Sequence, residues 1–233
     1  MKNGYTKCNL YDYVKQSPII GIDSLGLELY AIDGTSFTEK NNGNVLLFKQ
    51  RYKHGKAFYW DGPQNRVTGS DSGEISITVY DFICKRFCLN RRRKIDIIGW
   101  SRGAAIAIDV VNRLATHGCT CCGKSYKPQI HWLGLLDPVD MSIIWNGNSL
   151  KVNSIPSNVQ QGVAIYAEDR GIKQTYDLLC FIPIFPESAQ QIDMYLAKGA
   201  SHNDVGGTGE QDPKINKEVL NFITQHIDNS YSK

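Results

Sequence analysis

The chain has no run of about eighteen apolar residues, the length a helix needs to cross a bilayer. Its polar start, Met1-Lys2-Asn3-Gly4, lacks the apolar stretch of a secretion signal. These absences predict a soluble protein made in the cytoplasm, with later export left open. No internal repeat or low-complexity tract is present. Strong charge of one sign is missing as well. The net charge of +3 is too small to announce a nucleic-acid binder, and the one basic cluster, Arg91-Arg92-Arg93-Lys94, reads as a solvated loop before a strand. No constellation of paired histidines and carboxylates marks a metal nuclease. Paired Cys-x-x-Cys units, the usual frame of a structural zinc site, are absent too. Disulfides or thiols are therefore the expectation for Cys84, Cys88, Cys119, Cys121 and Cys122, with no metal. Seven cysteines is an odd number, so at least one lies outside any intramolecular disulfide.

What is present is an ordinary globular composition, 233 residues with 42% hydrophobic and 21% charged, enough for one full core. The first 27 residues are a run of aromatics and turn formers without helical periodicity. From Leu27 the pattern alternates between strand and helix. Leu27 to Ile32 reads as a strand, and Val45 to Phe48 as a short apolar strand or turn. Ile75, Val79, Phe82, Ile83 and Phe87 recur at helical spacing behind a possible cap at Asp71 or Ser72. Ile95, Ile97 and Ile98 form a β-branched strand, and Ala104 to Leu114 a small-residue helix. Ile130 to Leu136 and Val163 to Ala167 are further strands, and Ile215, Val219, Ile223 and Ile227 mark a terminal amphipathic helix. Alternation of this kind implies an α/β fold, a mainly parallel sheet with helices on both faces.

Gly99-Trp100-Ser101-Arg102-Gly103 lies between the β-branched strand and the small-residue helix. A serine hydroxyl is a poor nucleophile until it is exposed on a sharp turn and a base takes its proton, and strand, glycine turn and helix supply that placement. Read blandly, Ser101 is a helix N-cap. A hydrolase with this elbow carries its nucleophile, acid and base in that chain order. His54 precedes the serine, His117 follows one helix later, His131 sits inside an apolar strand, and His226 belongs to the terminal helix. His202, in the glycine-rich stretch Gly199 to Gly207 that reads as a loop before the last helix, is the candidate base, the alternative being a solvated loop histidine. Asp137 ends a strand and is the candidate acid, with Asp140 and Asp169 as alternatives, although a carboxylate at a strand end is also a common turn former. For the oxyanion, the amide of Arg102 is one donor, and the Asp33-Gly34-Thr35 turn offers Gly34 or Thr35 as the second. No cofactor is required.

Two resemblances extend this reading. Asn9-Leu10-Tyr11-Asp12-Tyr13-Val14, followed by Asp23-Ser24-Leu25-Gly26-Leu27, resembles the end of the core of Rhs-repeat proteins, where a processing signal precedes a variable toxin domain; Ser24 stands in place of the usual proline. The resemblance implies a junction segment at 1–27 and a catalytic toxin domain at 28–233. The rest of the chain resembles the α/β-hydrolase lipase effectors of bacterial type VI secretion. The matching blocks are Asp33-Gly34-Thr35 with Asn41-Asn42, Ile98 to Ala104, Leu133 to Val139, and His202 to Gly207. Tyr59 to Pro63 and Ala167 to Arg170 match more weakly. Leu136, Pro138 and Asn203 depart from the family pattern. This resemblance implies a phospholipase or related ester hydrolase with Ser101, Asp137 and His202 as its triad. The expected partners are then a phospholipid or other ester, the target-cell membrane surface, a cognate immunity protein and the Rhs core with its secretion apparatus, and no nucleic acid. The enzyme would be made in the cytoplasm and delivered to the periplasm or inner-membrane surface of a target cell. Cys180 to Pro186, apolar and broken by proline, is a candidate lid or a packed loop. An esterase, thioesterase or peptidase acting on a soluble substrate is the alternative, and a catalytically silent module acting on nucleic acid a further one.

Overall fold

A computed structural model of the chain describes residues 26–65, 70–140, 150–169, 182–183, 191–207 and 213–232. Strands β1 (Leu27–Ile32), β2 (Lys56–Trp60), β3 (Lys94–Trp100), β6 (Ile130–Leu136), β8 (Gly162–Ala167) and β10 (Ile192–Ala197) form one sheet. Its order is β2-β1-β3-β6-β8-β10, and every pair is parallel. The four inner strands are buried along nearly their whole length, as strands covered on both faces must be.

Side chains alternate between two cores. Tyr30, Ile32, Ile95 and Ile97 face helices α2 (Ser72–Leu89) and α3 (Arg102–Thr116), where Val79, Ile83, Ile106 and Val110 meet them. Leu29, Ala31, Ile98 and Trp100 face the other side, covered by α1 (Asn44–Arg51) and α5 (Pro213–Ser230) through Val45, Phe48, Val219 and Ile223. The doubly covered parallel sheet expected from the alternating pattern is thus the one observed.

One element differs in kind from its sequence reading. Val45 to Phe48 belongs to helix α1 rather than to a strand or turn. An apolar run of four residues cannot separate the two periods by itself. The deciding partners are remote: Val45 and Phe48 share one face against α5, and the Asn44 amide donates to the carbonyls of Val205 and Asn216. The edge strands β2 and β10 have no counterpart in the sequence reading: their apolar runs, Ala57 to Trp60 and Met194 to Ala197, are only four residues long, too short to fix a period, and each strand is at least partly exposed.

Two disulfides, Cys84–Cys119 and Cys88–Cys121, pin the hairpin of β4 (Cys119–Cys121) and β5 (Lys124–Tyr126) to α2. Cys122 belongs to neither. A second two-stranded ribbon joins β7 (Val139–Asp140) to β9 (Ile182–Pro183). It ties part of the candidate lid, Cys180 to Pro186, to the chain just beyond Asp137; the rest of that stretch lies outside the described residues, as does the junction up to Leu25.

Candidate active site

The six parallel strands end at one edge of the sheet, and β3 delivers Ser101 there. Ser101 has φ 57° and ψ −126°, a conformation that side chains other than hydrogen avoid. Surrounding contacts hold it. Its amide donates to the Leu136 carbonyl at 2.9 Å, and its own carbonyl accepts from Ala104 at 3.0 Å. The flanking glycines are sterically required. A Cβ on Gly99 would lie 2.3 Å from the Gly103 carbonyl oxygen, and one on Gly103 would lie 2.3 Å from the carbonyl oxygens of both Ile32 and Asp33.

Asp137 turns out of β6 at φ 40° and is fully buried. Its amide donates to Ile165 at 2.7 Å, and its Oδ1 accepts from the Ala167 amide at 3.1 Å, so the carboxylate is aimed by the neighbouring strand β8. Oδ2 lies 2.6 Å from Nδ1 of His202, whose Nε2 lies 2.9 Å from the Ser101 hydroxyl. A neutral imidazole protonated at Nδ1 satisfies both contacts: it donates to Asp137 and accepts from serine. The other acids considered, Asp140 and Asp169, stand elsewhere. Asp140 lies in β7 opposite Ile182, and Asp169 is exposed with its amide on Ala200.

His202 is not on a loop. It is the first residue of a short helix, α4 (His202–Gly206), opened by a capping box between Ser201 and Asp204 and closed by Gly207 at φ 76°. Serine followed three residues later by an acid is the signal for this cap, and it was available in the sequence. The remaining histidines are bound elsewhere. His131 pairs with buried Asp96 at 2.9 Å, His54 with Asp228 at 2.7 Å, and His226 links Trp132 to Asp193. His117 caps the end of α3.

Trp100 joins the parts, a role that sequence reasoning missed. Its buried indole is gripped between Gly34 and Gly206, where an added Cβ would fall 2.4 Å and 2.2 Å from ring carbons. Phe37 packs edge-on at 4.7 Å between centroids, and the His202 ring sits 5.3 Å away. The residue before the nucleophile thus spaces the Asp33-Gly34-Thr35 turn from the histidine helix. Within that turn the Gly34 amide donates to Asp33 Oδ1 at 2.8 Å. Arg102, the first residue of α3, has an amide that no carbonyl of its own helix can satisfy.

Comparison with solved structures places this arrangement. The chain matches Thermogutta terrifontis esterase 2 with a TM-score of 0.56 at 10% identity, covering 91% of this chain and 87% of that one. It matches a Burkholderia cenocepacia protein assigned to the aryl esterases with a TM-score of 0.53 at 11% identity, covering 91% and 93%. The fold is that of an α/β hydrolase. A third match with this fold, an uncharacterized Pseudomonas aeruginosa protein, has a TM-score of 0.53 at 13% identity; it covers 88% of this chain, which spans 45% of that protein's length. No family model and no curated protein matches the sequence. Among the described residues, no group of three or more histidines, cysteines and carboxylates is placed to hold a metal ion. Of the basic cluster, Arg93 pairs with buried Glu28, Arg91 lies over the Tyr126 ring at 4.6 Å, and Lys94 lies over Tyr231 at 5.4 Å.

Proposed function

We propose that this chain is a serine hydrolase of carboxylic esters, and within that class a phospholipase-type lipase that acts as an antibacterial effector. The observation that carries the reading is the unbroken series Asp137–His202–Ser101, with contacts of 2.6 and 2.9 Å on a strained nucleophile turn. In the first half-reaction His202 Nε2 takes the serine proton as Oγ attacks the ester carbonyl carbon. Asp137 stabilises the imidazolium, and the oxyanion forms opposite the Arg102 amide. Collapse expels the alcohol, which takes the proton from His202. Water then attacks the acyl-serine by the same route and releases the acid.

The lipid substrate rests on the four sequence blocks shared with the type VI lipase effectors. Delivery rests on the Rhs-like junction at 1–27, which would sit ahead of a toxin domain at 28–233. The two disulfides support action in an oxidising compartment such as the periplasm, after synthesis in a reducing cytoplasm. The implied partners are a target membrane surface, the secretion apparatus and an immunity protein in the producer.

A second reading, an esterase for soluble esters, is favoured by one observation. The match to the Thermogutta esterase takes in 91% of this chain, so within the given residues little lies outside the shared fold to serve as a large membrane-binding insertion. The two readings separate when fatty acid released from phosphatidylethanolamine and phosphatidylglycerol vesicles is measured beside hydrolysis of a soluble p-nitrophenyl ester. A lipase releases fatty acid from vesicles, and Ser101→Ala abolishes the release. Turnover of the soluble ester with none from vesicles rejects the lipid assignment and keeps the hydrolase.

A further inference from the structure

Among the described residues, all but one of the amides from Asp33 to Thr38 are committed. Asp33 donates to Trp60, Gly34 to the Asp33 carboxylate, Ser36 to Pro63, Phe37 to Gly34 and Thr38 to the Asn41 side chain. Thr35 N–H has no partner among the described residues, and the buried Thr35 hydroxyl has none either. A buried hydroxyl without a partner is costly, so leaving one here beside an uncommitted amide calls for a reason. Position supplies it: Gly34 is packed against Trp100 and the Asp33 carbonyl against Gly103, which places the turn beside Ser101 from both sides in sequence.

We propose that Thr35 is the second oxyanion donor, through both its N–H and its hydroxyl, and that Asp33 is the positioning residue that presents it. The proposal rests on the serine-hydrolase reading of the same site and narrows it, because it removes Gly34 as a donor. Asp33 Oδ1 draws the Gly34 N–H onto itself, away from the nucleophile, while Oδ2 accepts from the Tyr59 hydroxyl at 2.8 Å and so anchors the turn to β2. With the neighbouring amides turned away, Thr35 alone in the turn offers donors to an incoming carbonyl oxygen. Burial pushes the Asp33 carboxyl up to about 6, partly offset by the bonds from Gly34 and Tyr59, with nearby Asp61 adding to the rise. Tyr59 and Asp61 are the titratable groups that act on it, both from the β2 side, while Gly103 of α3 packs on the Asp33 carbonyl. The carboxylate therefore gives up its charge as pH falls through about 6.

The test is the pH profile of kcat and KM for p-nitrophenyl butyrate, with wild type, Ser101→Ala, Thr35→Val, Thr35→Ser and Asp33→Asn. Thr35→Val keeps the shape and loses the hydroxyl; kcat should fall about 10- to 100-fold with KM within about twofold, and Thr35→Ser should recover most of the loss. Asp33→Asn should lower kcat at every pH and make the acid limb shallower by the one proton that Asp33 takes up near pH 6. A Thr35→Val enzyme as fast as wild type, or an Asp33→Asn acid limb of unchanged slope, overturns the proposal while Ser101→Ala stays inactive and the hydrolase reading stands. Should Thr35→Val fail to fold, Thr35→Ala against Thr35→Ser reads the hydroxyl in its place, and equal rates in that pair overturn the proposal equally. A wild-type chain that cleaves no ester overturns the hydrolase reading itself, and this inference with it.

Discussion

Asp33 shows how a single residue at this site sets function against stability. A buried carboxyl raised to about 6 holds a proton that the unfolded chain, with an ordinary value near 4, has already released. Between those values the folded state binds more protons than the unfolded one. The contribution of Asp33 to stability is thus fully present below about pH 4 and is lost as pH rises through 6, by about 3 kcal/mol on the order-of-magnitude scale of two pKa units. At neutral pH the protein carries an ionised, fully buried carboxylate whose bonds to Gly34 and Tyr59 recover only part of that cost. Asp33→Asn removes the titration. In urea unfolding, the stability of the variant relative to wild type should therefore improve by up to about that amount from pH 4 to pH 7. A stability difference that does not change with pH contradicts the account of Asp33.

At the scale of elements, the β4–β5 hairpin depends on the helix beside it. Its strands are three residues each, too short to stand alone, and its attachment to α2 is covalent. The disulfides span sequence separations of 35 and 33, for which restriction of the unfolded chain is worth about 4 kcal/mol for the first bridge closed. The second closes nearly the same loop and adds less. Cys84→Ser with Cys119→Ser should leave the hairpin held by Cys88–Cys121 and cost little. Removing all four cysteines should lower unfolding free energy by about 3–4 kcal/mol, with the triad still assembled on the distant strand ends. Denaturant titration of the double and quadruple variants checks this. Equal losses in the two would show that the bridges do not share one loop. The same elements explain why spacing alone did not resolve the cysteines: Cys84 and Cys88 lie one helical turn apart, Cys119 and Cys121 two strand residues apart, and only the packing of α2 on the hairpin brings the two periods face to face.

At the scale of the whole molecule, much of the architecture could be read from residue order. β1, β3, β6 and β8 are continuous apolar runs because both of their faces are covered, and α2 and α5 show helical spacing because each buries one face, while α3, buried from Arg102 to Val111, shows itself by its small residues. Chain order placed Ser101, Asp137 and His202 as candidates, and the fold brings the three together across 101 and 65 residues of separation. What stayed out of reach depended on contacts between distant segments. α1 is decided by α5 and by Asn44 reaching Val205; the spacer role of Trp100 depends on Gly34 and Gly206, 172 positions apart in the sequence numbering (206 less 34), gripping one ring. The commitment of the Gly34 amide depends on an Asp33 rotamer that no spacing encodes. The claim on which everything else rests is that Ser101 is activated by His202. The most direct measurement is covalent labelling by a fluorophosphonate, with the modified residue mapped by peptide mass spectrometry. A single adduct on Ser101 is expected, absent in Ser101→Ala and slowed by about 10³-fold or more in His202→Ala. Labelling that persists in Ser101→Ala, or a wild-type chain that takes no label, would contradict it.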